Sequence, residues 1–109
     1  MMRYGRWFLA PLLALHLLST EARAQTNAAL AETLFQEGKK QMAAKNYAEA
    51  CPKFQESQRL DPGTGTLLNW GLCLKESGKP AGAWVVFNQA VAAARGEPRR
   101  SRDLGPKRD

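Results

Sequence analysis

The chain has 109 residues, a formal net charge of +6, two cysteines and a single histidine, His16. That length allows one small domain, near the lower limit for a self-sufficient core. It excludes histidine-based nucleophile pairs and zinc sites once the N-terminal segment is set aside, and two cysteines cannot hold a structural metal alone.

Met1 to Arg6 carries Arg3 and Arg6. Trp7 to Leu18 is apolar except for Pro11 and His16, and Ala22-Arg23-Ala24 supplies small residues two apart. A basic start, a short apolar stretch and an A-x-A site make a secretory signal peptide, so residues 1–24 read as a leader cleaved before Gln25. The apolar run is too short for a spanning helix. Removing Arg3, Arg6, Arg23 and Glu21 leaves 13 basic against 9 acidic residues, and six of those bases fall in 95–109. The remaining 25–94 is nearly neutral, so the basic character lies at the two ends and bears on solubility, not fold.

Gln25 to Ala28 reads as a polar lead-in. From 28 to 44, Leu30, Leu34, Phe35 and Met42 recur at helical spacing, with Gly38 among them. A second helical pattern opens at Tyr47 and runs through Ala50, Cys51, Phe54, Ser57 and Leu60, with Pro52 inside it. Asp61-Pro62-Gly63 ends it, because proline disfavours helical geometry in the residue before it. Thr64 or Thr66 is placed to cap a third helix carrying Leu67, Leu68, Trp70, Leu72 and Leu74, and Ser77-Gly78 stops it. Pro80 fits the first turn of a fourth helix with Ala83, Trp84, Phe87, Ala90 and Val91, and Gly96 is its expected terminator. Residues 96–109, rich in Pro, Gly and charge, read as a disordered basic tail. No strand pattern appears, so the fold class expected is all-α, with short turns making sequential helices antiparallel neighbours.

The helices repeat. Leu34 and Leu67, Gly38 and Gly71, Ala50 and Ala83, and Phe54 and Phe87 each lie 33 positions apart, and Ser57 matches Ala90. Self-similarity at this period marks stacked units, each burying its apolar face against the next. The units fall at about 31–63 and 64–95, within a domain of 25–95. Gly38, Ala50, Gly71 and Ala83 are expected at helix crossings, with Phe54 and Phe87 filling the space beside them.

With Tyr47 and Pro62, these residues resemble the tetratricopeptide repeat. The likeness covers about 31–95, and departs from the pattern at Pro80, Arg95, Glu37 and Gln41. The segments 46–54 and 60–69 also resemble exported repeat proteins of myxobacteria and their relatives. The resemblance implies an α-α superhelix of stacked helical hairpins whose concave side takes up peptides or partner helices. On that side Phe35, Lys39, Met42, Leu68, Asn69, Leu72 and Lys75 are the candidate partner-binding residues, against the alternative that Phe35, Leu68 and Leu72 simply join the core. Asn69 stands where the family's carboxylate-clamp members have an Asn, but the first repeat lacks their other groups, showing Phe35 and Lys39 instead. In stacked repeats the helices of Cys51 and Cys73 are adjacent. An even cysteine count in an exported protein favours a disulfide, with two buried thiols as the alternative.

Other motifs carry less. Gly63-Thr64-Gly65-Thr66 lacks the lysine and the preceding strand of a phosphate loop. Arg95, Arg99, Arg100, Arg102, Lys107 and Arg108 form a run with no interleaved aromatic, so a solvated tail is expected and no nucleic-acid partner. The expected function is therefore an exported adaptor that binds a protein or peptide in the cell envelope, without catalysis, metal or cofactor, and with no membrane span after cleavage; self-association is left open. Two alternatives stand beside it. The change of composition at Gly96 also fits a truncated or frameshifted reading frame of a longer repeat protein, and a remote third reading is an enzyme using carboxylates such as Glu32 and Glu76.

Overall fold

The computed structural model describes residues 4–104, with side chains for 20–96. Four helices follow one another: α1 (Tyr4–Ala43), α2 (Tyr47–Leu60), α3 (Thr64–Glu76) and α4 (Pro80–Leu104). No strand occurs among the described residues. The helices pair as two helix-turn-helix units, α1 with α2 and α3 with α4, and the units stack through α2 against α3. This is the all-α, two-hairpin arrangement that the 33-residue period predicts.

The period is visible at atomic level. A Cβ added to Gly38 would stand 2.8 Å from Cε1 of Phe54, and one added to Gly71 would stand 2.6 Å from Cε1 of Phe87. Each hairpin therefore crosses at a glycine that lets an aromatic ring lie on backbone. Glycine inside a helix costs about 1 kcal/mol relative to alanine, and the ring seated on it offsets that. Ala50 and Ala83 are both buried beside these crossings.

The turns repeat as well. At the end of α3, Gly78 has φ +80, its N–H donates to the Lys75 carbonyl (3.1 Å), and the Lys79 N–H donates to the Leu74 carbonyl (2.8 Å). That is a Schellman stop with glycine in the left-handed position. Thirty-three residues earlier α1 ends the same way: Lys45 donates to the Met42 carbonyl (2.9 Å) and Asn46 to the Gln41 carbonyl (2.8 Å). Here the left-handed residue is Lys45, with φ 62. Asn46 then serves as N-cap of α2, its carbonyl accepting from the Ala50 N–H at 2.9 Å.

Three boundaries differ from the sequence expectation. The first helix starts at Tyr4, not near residue 28, and passes through the expected cleavage position without a break. No glycine or proline stands between Pro11 and Gly38, and Ala22, Ala24, Ala28 and Ala29 are strong helix formers. The hydroxyls of Thr26 and Thr33 bond back to the carbonyls of Ala22 (2.8 Å) and Ala29 (3.1 Å). Residues 20–30 are nonetheless all exposed, and packing begins at Ala31, whose carbonyl accepts a buried hydrogen bond from the Ser57 hydroxyl at 2.7 Å. Next, neither Thr64 nor Thr66 is the N-cap of α3. Gly63 is, in extended conformation, and its own N–H donates to Gln58 Oε1 at 3.0 Å. Finally, α4 does not stop at Gly96 but continues to Leu104, so the part of the expected disordered tail before residue 105 is helical; residues 105–109 lie outside the described residues. One glycine lowers helix propensity by about 1 kcal/mol without ending a helix, and Pro98, two residues on, is carried inside it.

Pro52 lies inside α2, where its missing N–H removes one early ladder bond, and it sits on the exposed side. Pro80 opens α4 at the position where no donor is needed.

Candidate functional site

The two hairpins share one core at their junction. Ala50, Cys51 and Phe54 of α2 and Cys73 of α3 form a buried cluster, on which Phe35 and Met42 of α1, Tyr47 of α2, and Trp70 and Leu74 of α3 are packed. Cys51 and Cys73 are disulfide-bonded, with Cα atoms 5.6 Å apart and a sequence separation of 22, and no free cysteine remains. Of the two pairings the sequence left open, the bonded one is present. It joins α2 to α3, and so one repeat to the next.

The seven residues expected on the concave side divide into two groups. Phe35 and Met42 are half-buried and belong to the core; the Phe35 ring meets Phe54 edge-on, with centroids 5.8 Å apart and planes at 65°. The Lys39 ammonium lies 5.5 Å from the centre of the Phe35 ring, a cation–π distance. Leu68 and Leu72, by contrast, are 49% and 41% exposed. They stand four apart on α3 and so share one side of it. Lys75 is exposed below them, and the Asn69 amide donates to the Gly65 carbonyl of its own helix at 2.8 Å. The strip open to a partner is thus Leu68 and Leu72 of α3, with Lys75 next along the same side of the helix.

Cavities adjoin the junction. One of about 230 Å³ opens between α1 and the start of α3, lined by Ala31, Glu32, Phe35 and Thr66. A larger one, about 800 Å³, lies between the start of α2 and the end of α3, lined by Tyr47, Pro52, Trp70 and Leu74 with Lys45, Glu49, Glu76 and Lys79 around them. Trp70 and Tyr47 were expected only as helix members, not as cavity walls. The signal that could have found them is the disulfide, because joining Cys51 to Cys73 sets the start of α2 beside the end of α3.

The electrostatics are those of a solvated surface. Glu37 and Lys53 pair across the first hairpin at 3.0 Å, partly exposed. Hydrogen bonding to Arg59 holds the Glu56 carboxyl below the usual range and raises the Arg59 guanidinium, on a solvent-facing side of α2. Glu32 and Glu76, the remote catalytic candidates, line different cavities. Among the described residues no cluster of three or more His, Cys, Asp or Glu is placed to hold a metal, and no helix is long and apolar enough to cross a membrane. No protein-family model, curated protein or solved structure matches the chain.

Proposed function

We propose that this chain is an exported adaptor of tetratricopeptide-repeat type, which binds a segment of another protein in the cell envelope and performs no chemistry on it. The observation that carries the reading is the exposed pair Leu68 and Leu72, four apart on α3 with Lys75 beside them, on a scaffold whose buried clusters form without them. Apolar side chains at i and i+4 with charged neighbours are what an extended or helical segment needs from a docking strip. The residue pattern at each crossing supports the family assignment, and the disulfide together with the leader pattern of residues 1–24 supports an oxidising compartment.

The test is crosslinking in the native envelope followed by identification of what is joined. A specific partner should be recovered with the wild-type chain and lost with Leu72→Glu, while the melting temperature of that variant is unchanged. Phe35→Ala is a poor probe, because Phe35 packs on Phe54 and its loss perturbs the fold. The exported species should have an intact mass beginning at Gln25. A partner recovered equally by Leu72→Glu, or a chain confined to the cytoplasm with residues 1–24 attached, would contradict the proposal.

A further inference from the structure

Hairpin 2 exposes a face whose counterpart in hairpin 1 is covered. Adding 33 to each residue number carries the α2 face that meets α3 onto α4: Cys51 becomes Trp84 and Gln58 becomes Val91, while Phe35 of α1 becomes Leu68 of α3. Cys51 is 8% exposed beneath α3, whereas Trp84 is 69% exposed and Val91 51%. Phe35 is half-buried, whereas Leu68 is 49% exposed. The geometry points to this end face as a docking site for one amphipathic α-helix of another protein, seated as α3 is seated on α2. This rests on the adaptor reading and names the partner's chemistry.

The junction already present in the molecule shows what such a helix must offer. The side chains that α3 contributes there are Trp70, Cys73 and Leu74, at positions i, i+3 and i+4. A second copy of this chain is poorly suited. Its own α3 strip is already packed on α2, and α1 carries Glu37, Lys40 and Gln41 at the three corresponding positions. Charge adds a further condition. Within 64–96, Lys75, Lys79 and Arg95 stand against Glu76 alone, so a helix with acidic flanks is favoured and a second basic face is repelled.

The probe is a lactam-stabilised, fluorescent peptide of this chain's residues 64–77 carrying Cys73→Ala and Lys75→Glu, titrated into the full disulfide-bonded chain. Saturable anisotropy is expected. Binding should weaken tenfold or more with Trp84→Ala, weaken with added salt or when the peptide keeps its lysine, and remain unchanged with Gln89→Ala. A second measurement reads register. In a glutathione redox couple, which supplies the oxidant, Trp84→Cys protein should form a mixed disulfide with a peptide holding Cys73 several-fold faster than with one whose cysteine is moved to position 69. Absence of saturation, indifference to Trp84→Ala, or no positional preference in the disulfide overturns the proposal. So does a dimer in sedimentation equilibrium that Trp84→Ala dissolves, since a second copy would then cover the face. Leu68 borders both surfaces, but the envelope capture is read at Leu72 and the titration at Trp84, so either result can fail while the other stands.

Discussion

Phe54 and Phe87 hold the same place in successive hairpins, each ring lying on the glycine of its partner helix, yet Phe54 is wholly buried and Phe87 only half-buried. The hairpins themselves are alike; what differs is the neighbour. Hairpin 1 is covered on its α2 side by α3, while the corresponding side of hairpin 2 is open. The two also make the same contact with different chemistry. Where hairpin 1 joins Glu37 to Lys53 as an ion pair, the equivalent positions in hairpin 2 are Trp70 and Val86, which pack against the same apolar cluster. Where hairpin 1 has the Ser57 hydroxyl bonded to Ala31, hairpin 2 has Ala90. Geometry is therefore repeated by the small residues and the aromatic, and the remaining positions are free to record which side faces water.

The sharpest way to break the likeness is to remove each ring. Phe54→Ala should cost about 3 to 5 kcal/mol, the range for a fully buried aromatic. Phe87→Ala should cost clearly less, because its ring still touches water; equal losses by denaturant unfolding would mean that hairpin 2 is covered in solution. The disulfide is the next largest effect. Replacing Cys51 and Cys73 together by serine should lower stability by roughly 3 kcal/mol in the chain-entropy model. The variant should also loosen the junction between hairpins before either hairpin unfolds, readable as faster amide exchange in α3 than in α1. Gly38→Ala and Gly71→Ala each place a methyl against ring carbons that cannot yield by rotation of a flexible end, and should cost about 1 to 3 kcal/mol. Gly71→Ala, with the closer approach, should be the worse of the two by thermal melting.

Smaller effects sharpen the comparison at the turns. Lys45 and Gly78 occupy the same left-handed position. Lys45→Gly should relieve a strained backbone and stabilise by up to about 1 kcal/mol, and Gly78→Lys should lose a similar amount; unfolding midpoints that move the other way would reject the equivalence. The smallest expected effect is electrostatic. Arg59 holds the Glu56 carboxyl below its usual range, so the stabilisation is present above the unfolded pKa and fades as pH falls through the folded one. Hairpin 2 has Gln89 and Ala92 at these positions. Glu56→Gln should accordingly flatten the acid side of the stability profile only slightly, since the pair lies at the surface and is screened by solvent.

The four helices, their pairing into hairpins and the residues at each crossing could be read from spacing alone. A Gly and a Phe in register 33 apart state which backbones must touch, and Pro80 and Gly78 state where a helix can begin and end. These signals act within one turn of helix or between units of equal size, and so survive without knowledge of the surroundings. Other features were not legible in the same way. Lys45 adopts the left-handed stop because the chain must reverse there for α2 to return along α1, against its own preference. The first helix passes the expected cleavage position because nothing local interrupts it. Phe35 and Met42 became core while Leu68 remained outside, although all three sit at comparable helical positions. No rule of periodicity separates them, since burial is a property of the element that arrives from elsewhere in the chain, and α3 arrives over the first hairpin while no described element arrives over the second.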